Sequence, residues 1–534
     1  MRKFPLQRNR LISGTALLLF TVTGFLVMGY HPGFEDDAVY LPAIKADLNP
    51  ALFPHDRDFF QLQMQATIFP QFMAHFVRWT HIPLAGAELL WQFAALFVIL
   101  WACRRIAAQL FGKAAAQWAA VAMAAAMFTL PVAGTALNIA DQHLHPRNLA
   151  TALILVAVSL ILETERPEAK GLQTRPWQTQ RTPRKQLKMK RWAAPLFLLA
   201  AFAFHPVMAA MGISFSVFLE LTLAGTLTGW ARGLRSPAER IPAHTTAAAV
   251  AAPLAWLFAP ESPAWRQAVA SRLYYSIYRW TWYEWLGALA PLILFGLLAW
   301  LAGRKPRTQE QSRLARFALA VVAYGVFQQF VAMLLLAPPS LSRLAPLQPM
   351  RYLQLVYIFM ALAGGGLLGR FLLKASPWRW AAYLLLINGG MFLVQWEVID
   401  DGAHLELPGR ATANPWLQAF DWVRLNTPAD AYFALDPRYL AAPGEGFHGF
   451  RALAERSQLA DAIKDTSVVI QVPSLADAWG AQQQAQAGWA EFRLADFERL
   501  KDQFGVDWVL VASAQTAGLD CRWHNAALAA CRVP

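Results

Sequence analysis

Few residues in this chain carry a charge. Charged side chains make up 15% of the 534 residues, whereas 56% are hydrophobic and the mean hydropathy is +0.31. Soluble globular proteins contain about 25% charged residues, so this composition excludes an ordinary soluble protein. It is typical of a polytopic membrane protein.

The first apolar segment lacks a small-residue cleavage site. Residues 11–30 are long enough to span a membrane, and we predict that they are retained as a first helix. Hydropathy and length predict further spans near residues 84–102, 115–134, 148–163, 192–204, 207–230, 243–259, 284–302, 317–337, 352–372 and 380–396. The predicted fold is therefore an α-helical membrane protein with about 11 transmembrane helices.

Basic residues are scarce on one side of these spans. With a cytoplasmic N-terminus, 27 of the 47 Lys and Arg residues fall in inner segments and nine in outer loops. The positive-inside rule then places the acidic loop 31–80 and the C-terminal region on the outer face. The net charge of +13 is mainly an orientation signal, and nucleic-acid binding is not needed to explain it.

Long apolar runs are absent after about residue 399. Short apolar runs predict buried strands at 431–435, 467–471 and 506–512. Helices are predicted at 415–426, 450–463 and 494–504. We therefore predict a membrane domain over residues 1–398 and a soluble, extracytoplasmic α/β domain over residues 399–534.

The chain has only three cysteines. Cys521 and Cys531 fall in the predicted outer domain, and Cys103 lies at an inner helix end. An oxidising compartment favours a disulfide between Cys521 and Cys531 across a terminal hairpin. Two unpaired thiols are the alternative.

Ionisable residues concentrate in the predicted outer loops. Glu35, Asp36 and Asp37 directly follow the first span. Carboxylates at the mouth of a membrane helix are unfavourable unless they have a function, and a carboxylate can accept the proton of an attacking hydroxyl or amine. The alternative is that these acids are solvated loop residues or helix caps.

Other outer loops contribute bases and a second acid. An Arg guanidinium offers a planar pair of donors to phosphate oxygens. Acid and Arg together suit attack on a phosphate-activated group whose leaving group is a lipid phosphate. The histidines could instead satisfy loop carbonyls or stabilise a helix break. These further candidates are Asp141, His143, His145, Arg147, His205 and Arg351.

This arrangement resembles the C-type glycosyltransferase (GT-C) superfamily, in which an acidic pair follows the first helix and a second acid lies in the next outer loop. Its members transfer sugars from polyprenyl-phosphate donors on the non-cytoplasmic face. More narrowly, the chain is similar to a bacterial family of uncharacterised GT-C-like membrane proteins. The segments that carry this similarity are FEDDA (34–38), HPRNLA (145–150), FHP (204–206), RWTWYEW (279–285), PMRY (349–352), NTPAD (426–430) and FRALAER (450–456).

The resemblance implies roles for individual residues. The catalytic base maps to the acidic run, where we favour Asp36 over Asp37 and then Glu35, with a one-residue ambiguity because the run is Glu-Asp-Asp. The second acid maps to Asp141. The lipid phosphate would contact Arg351, assisted by Arg147 and His205, with His143 and His145 as further substrate-binding candidates. A divalent metal ion is possible at Asp36, Asp141 and His143, although their spacing matches no local metal motif.

The function implied is transfer of a sugar from a polyprenyl-phosphate donor to a cell-envelope acceptor at the outer face of the bacterial cytoplasmic membrane. The expected partners are membrane lipid, the lipid-linked sugar and an unidentified acceptor, with no nucleic acid. One alternative is an inactive GT-C-shaped scaffold in an envelope assembly. A transporter is less favoured, because the charges lie in loops and no inverted repeat is evident.

Overall fold

The computed structural model describes residues 4–164, 184–225, 261–275, 277–304, 306, 308–336, 339–399 and 402–534. A two-stranded antiparallel ribbon, β1 (Pro131–Val132) and β2 (Leu137–Asn138), lies between the helix that ends at Ala126 and the helix that begins at Pro146. The helices described before residue 400 are α1 (Phe4–Met28), α2 (Asp37–Leu48), α3 (Asp58–Met64), α4 (Phe69–Thr80), α5 (Leu84–Leu110), α6 (Ala114–Ala126), α7 (Pro146–Thr164), α8 (Arg184–Phe204), α9 (Pro206–Leu223), α10 (Pro263–Ala270), α11 (Trp282–Gly303), α12 (Gln309–Leu336), α13 (Leu353–Leu368) and α14 (Pro377–Val398).

Seven of the described helices are long and apolar enough to cross a membrane: α5, α7, α9, α11, α12, α14 and the segment Pro349–Leu373 that contains α13. Three shorter apolar helical segments are Ile12–Met28, Ala114–Ala126 and Trp192–Phe204. Most of the predicted spans fall on these helices. The span predicted at 115–134 is too long, because its helix ends at Ala126 and β1 begins at Pro131. The predicted span 243–259 and residues 226–230 of the span 207–230 lie outside the described residues. The chain is thus a multi-pass membrane protein, and the count of 11 spans stays a prediction.

Helix α7 is the most enclosed span and α14 the least. In their most apolar windows, 83% of the α7 residues and 17% of the α14 residues are buried. Helix α7 is surrounded by α5, α8 and α9. At its crossing with α9, a Cβ added to Gly212 would lie 2.7 Å from Ile154, so glycine permits the close approach. The loop that leads into α7 is therefore attached to the most rigidly packed helix.

The predicted loop 31–80 is largely helical, since α2, α3 and α4 occupy most of it. Its apolar side chains, among them Phe59, Phe60 and Phe69, are buried together. Lys45 on α2 donates to the Ala452 carbonyl and to the Glu455 carboxylate, both at 2.7 Å. These contacts attach the α2–α4 segment to the C-terminal domain.

The C-terminal domain contains a five-stranded mixed sheet in the order β4-β3-β5-β7-β6. Strands β4, β3 and β5 are parallel, and β7 is antiparallel to both β5 and β6. The strands are β3 (Tyr432–Ala434), β4 (Ser457–Gln458), β5 (Trp508–Ala512), β6 (Asp520–His524) and β7 (Leu528–Arg532). The helices are α15 (Pro415–Asn426), α16 (Phe450–Ala454), α17 (Lys464–Gln471), α18 (Ala476–Ala485) and α19 (Leu494–Phe504).

Alternation along β5 explains the layers of this domain. Trp508 and Leu510 point into a cluster with Phe420 of α15, whereas Val509 and Val511 point into a cluster with Phe497 of α19. Helices therefore cover both faces of the sheet, as the predicted α/β pattern requires.

Two sequence predictions in this domain are wrong. The helix predicted at 450–463 ends at Ala454, because Glu455 turns into the left-handed region (φ 56°) before β4. Residues 467–471 were expected to form a strand but belong to helix α17. The Asp461 carboxylate accepts the Ile463 N–H at 2.7 Å, and α17 packs against α3 and α10, so tertiary contacts override the β-branched run.

The predicted disulfide is confirmed. Cys521 and Cys531 are bonded and face each other on the antiparallel strands β6 and β7. Cys103 is a free thiol that is buried within α5.

Candidate functional site

A cavity of about 740 Å³ lies between the membrane helices and the C-terminal domain. Its walls come from the start of α2, the loop before α7, the break between α8 and α9, the turn before α13, and α17. Eight of the nine candidate residues line it, and Asp37 does not. The eight are Glu35, Asp36, Asp141, His143, His145, Arg147, His205 and Arg351.

Asp36 directly precedes α2 and faces the cavity, with 37% of its side chain exposed. Its Oδ1 accepts a hydrogen bond from Lys464 Nζ at 3.0 Å. Its Oδ2 lies 3.5 Å from His145 Nε2 and 3.8 Å from Arg147 Nη2. Burial alone would raise the pKa of Asp36, but Lys464, His145 and Arg147 together lower it well below its usual value, so the carboxylate is ionised.

Glu35 shares Lys464 with Asp36. Its own carboxylate also accepts from Lys464 Nζ, and its backbone is in the left-handed region with φ 53°. Its N–H donates to the Phe447 carbonyl at 2.9 Å, which ties this strained residue to the C-terminal domain. Burial acts to lower the pKa of Lys464, but the carboxylates of Asp36 and Glu35 have the larger combined effect and raise it above its usual value. Lys464 is therefore a fixed cation.

Lys464 is not among the residues predicted from the sequence. It lies 428 residues from Asp36 and starts a helix that was predicted to be a strand. A single Lys in a separate domain carries no sequence signal for this contact.

Asp37 points away from the cavity. Its side chain is almost fully buried, and Oδ2 accepts the Gly33 N–H at 2.6 Å. Gly33 has φ 80°, so this hydrogen bond holds the turn that leads into α2. Burial raises the pKa of Asp37 despite the nearby His143. Asp37 thus stabilises the turn that positions Glu35 and Asp36.

Asp141 and Arg147 form a buried ion pair with two hydrogen bonds. Arg147 Nε donates to Asp141 Oδ2 at 3.0 Å, and Nη2 donates to Oδ1. Burial acts to raise the pKa of Asp141, but Arg147, His145 and His143 together lower it to about 2. Because both carboxylate oxygens already accept from Arg147, Asp141 is not a free proton acceptor.

Two histidines of the loop before α7, His143 and His145, line the cavity. His145 Nδ1 accepts the Arg147 N–H at 2.9 Å, so Nε2 carries the ring proton and faces Asp36. Burial is the main reason that the pKa of His145 falls to about 4. The two ring nitrogens of His143 are buried with no hydrogen-bond partner among the described residues.

Arg351 has one polar side-chain contact among the described residues. It lies in the turn Pro349–Tyr352 before α13, and its Nη1 is 3.3 Å from His205 Nε2. Among the described residues, no carboxylate oxygen lies within 4.0 Å of its guanidinium, and its Nε is buried without a partner. Burial and the charge of Arg351 lower the pKa of His205 well below its usual value, so His205 is neutral.

Arg272 is a second such cation, which sequence analysis did not select. It lines the same cavity, and its Nη2 donates to the Ile463 carbonyl. Within the described part of the chain it has no carboxylate partner, and its Nε is buried and unpaired. The cavity therefore has carboxylates on the wall formed by the start of α2 and the loop before α7. On the wall formed by residue 272 and the turn before α13, it has guanidinium groups with no carboxylate partner among the described residues. This combination suits a ligand with a phosphate.

A metal ion at Asp36, Asp141 and His143 does not fit this geometry. Arg147 occupies both oxygens of Asp141, and Lys464 occupies Asp36. Across the described ranges, one group of three His, Asp or Glu residues brings its ligand atoms within 4.8 Å of one another, and it contains none of these residues.

Comparison with family models gave no match, and comparison with curated proteins gave none either. Among solved structures, the apo oligosaccharyltransferase of Archaeoglobus fulgidus is similar at 12% identity over 93% of this chain and 69% of that one, with a TM-score of 0.46. The oligosaccharyltransferase AglB from Archaeoglobus fulgidus in complex with an inhibitory peptide and a dolichol-phosphate has 12% identity, the same coverage and a TM-score of 0.43. The form tethered to an acceptor peptide with the NVT sequon has 11% identity over 93% and 68% of the chains and a TM-score of 0.42. Such values are too low to assign an activity to this chain.

Proposed function

We propose that this protein transfers a sugar from a polyprenyl-phosphate donor to an acceptor at the membrane surface. The observation that carries the proposal is the composition of one cavity. Asp36 is an ionised carboxylate, and Arg351 is a guanidinium with no carboxylate partner in the described part of the chain; both line the same space. These are the two groups needed to accept a proton and to bind a phosphate leaving group.

In this mechanism Arg351 and Arg272 donate hydrogen bonds to the phosphate oxygens of the lipid. The acceptor hydroxyl or amine attacks the anomeric carbon, and the bond between that carbon and the phosphate oxygen breaks. The lipid phosphate leaves with the bonding electron pair, and the proton of the acceptor passes to Asp36. Attack opposite the leaving group inverts the anomeric configuration.

The contact between Asp36 and Lys464 affects this step. A carboxylate whose pKa is held well below its usual value is a weak proton acceptor. Proton transfer therefore requires the Asp36–Lys464 contact to lengthen when the acceptor binds. In the absence of an acceptor, Lys464 keeps the carboxylate ionised and in place.

We further propose that the cavity faces the outside of the bacterial cytoplasmic membrane, with a cytoplasmic N-terminus and an extracytoplasmic C-terminal domain. The distribution of 27 basic residues in inner segments against nine in outer loops supports this orientation. A cell-envelope glycan, lipid or protein would be the acceptor.

The test is transfer from a labelled polyprenyl-phosphate sugar by purified protein. Asp36→Asn preserves shape and removes the proton acceptor, so turnover should fall by about 10²- to 10⁴-fold, with unfolding temperature and donor binding unchanged. Asp502→Asn, an exposed position on α19, is the matched control and should transfer at the wild-type rate. Full transfer by both Asp36→Asn and Asp37→Asn would exclude the acidic run as the base.

One observation favours the scaffold alternative. The cavity carboxylates Glu35, Asp36 and Asp141 each have a cationic partner within the chain. A protein that binds the donor with the expected dependence on Arg351, but transfers sugar from no donor, would be a binding scaffold.

A further inference from the structure

A second cluster of ligating side chains lies beside the cavity, which one of them, His448, also lines. His31 follows α1, Glu406 follows α14, and His448 precedes α16. His31 Nδ1 is 3.4 Å from Glu406 Oε1, and His448 Nε2 is 2.9 Å from Glu406 Oε2. One ligand atom from each residue lies within 4.8 Å of the other two.

Backbone hydrogen bonds bring these three segments together. The Tyr30 N–H donates to the His404 carbonyl at 3.1 Å, and the Glu406 N–H donates back to Tyr30 at 2.9 Å. Gly449 N–H donates to the Gly33 carbonyl at 2.8 Å, next to His448. The positions of the three ligating residues are therefore set by the main chain, as a preorganised site requires.

His31 is fully buried, and neither of its ring nitrogens has a hydrogen-bond partner among the described residues. Glu406 Oε1, which faces it, is also buried, with no hydrogen-bond partner in the described ranges. Buried polar atoms in proteins are nearly always satisfied, so this pair needs an explanation. A cation between the two atoms would satisfy both.

The other ring nitrogen of His448 supports the same explanation. His448 Nδ1 lies 3.1 Å from the Glu445 carbonyl. Histidines that bind metals commonly donate their second N–H to a backbone carbonyl, which fixes the tautomer and leaves the first nitrogen as a ligand. Here that arrangement leaves Nε2 directed at Glu406.

We propose that His31, Glu406 and His448 bind a divalent transition-metal ion of the zinc type. Zinc bonds of about 2.0–2.1 Å in tetrahedral geometry separate ligand atoms by about 3.4 Å, close to the His31–Glu406 distance. Two imidazoles and one carboxylate are a preferred donor set for this ion. The ion would join the end of the first helix, the exit of α14 and the C-terminal domain.

The experiment measures zinc bound to the full-length protein in detergent. Protein stripped with a chelator and reloaded with Zn²⁺ should hold one equivalent after desalting, as measured by elemental mass spectrometry. Glu406→Gln and His448→Asn should each weaken zinc binding by at least about 100-fold, since loss of an outer-shell partner alone costs about 10- to 100-fold. A wild-type protein that retains no zinc would overturn the proposal.

Two control variants locate the ion. His524→Asn removes an exposed histidine on β6, and Asp141→Asn changes the acidic wall; both should keep one equivalent. Zinc that is lost in Asp141→Asn but kept in the Glu406 and His448 variants would place the ion elsewhere and refute the site. Zn²⁺ should also raise the unfolding temperature of the wild type, and an unchanged temperature would count equally against it. This wild-type measurement applies even where a variant fails to fold.

Discussion

Replacing Arg351 tests the phosphate-binding wall of the cavity most directly. The guanidinium has one polar contact, 3.3 Å to His205, and no carboxylate partner within the described residues. Arg351→Ala therefore leaves no carboxylate of the described residues without its partner, and its effect on folding should be small. Removing Arg147 would differ, because it would leave Asp141 buried and unpaired.

The size of the effect follows from the contacts that Arg351 can offer. Hydrogen bonds to a charged group contribute about 1.5–3 kcal/mol each, and two parallel bonds to a phosphate add less than their sum. We expect a loss of about 3 kcal/mol for Arg351→Ala, or about 150-fold in Kd. Arg351→Lys keeps the charge and loses the paired geometry, so we expect about a 10-fold loss.

The assay is calorimetric titration of the purified protein in detergent with farnesyl phosphate, a short polyprenyl phosphate, with inorganic phosphate as competitor. Arg343→Ala is the matched control, because Arg343 is 43% exposed and already pairs with Glu261 at 3.0 Å. It should bind like the wild type. Equal affinities for wild type and Arg351→Ala would remove Arg351 from the site and refute the assignment of this wall.

Two further predictions concern the acidic run. Lys464→Met removes the cation that holds the pKa of Asp36 down while burial still raises it, so the acidic limb of the transfer–pH profile should move to higher pH; an unmoved limb would exclude Asp36 as the titrating group. Asp37→Ala removes the acceptor of the Gly33 N–H, and chemical denaturation should show a loss of about 1–3 kcal/mol in the free energy of unfolding. A variant of Asp37 with wild-type stability and no transfer would instead place Asp37 in the chemistry.

Most membrane-spanning helices could be predicted because hydropathy measures the apolar character that a segment needs to lie in lipid. The disulfide was also predictable, since Cys521 and Cys531 flank a short turn. Local secondary-structure preference gave the wrong prediction where tertiary contacts determine the conformation. The β-branched residues Val468 and Val469 favour a strand, yet they lie in a helix started by Asp461 and packed against the membrane domain.

The cavity could be predicted in outline because its candidate residues precede or follow spans on one side of the protein. What the sequence does not contain is the direction of each side chain. Asp36 and Asp37 are neighbours, but one faces the cavity and the other a backbone turn. Contacts across the chain, such as Lys464 with Asp36 or His31 with Glu406, depend on how two domains dock.

The sparse packing of α14 has a practical consequence for spectroscopy. Leu385 and Leu386 are more than 70% exposed there, and Cys103, the single free thiol of the chain, is fully buried. A cysteine introduced at either leucine would be the one accessible thiol, because the other two are joined in the disulfide. A fluorophore or spin label attached there would report on the protein in a bilayer while leaving the enclosed α7 and its cavity loop untouched.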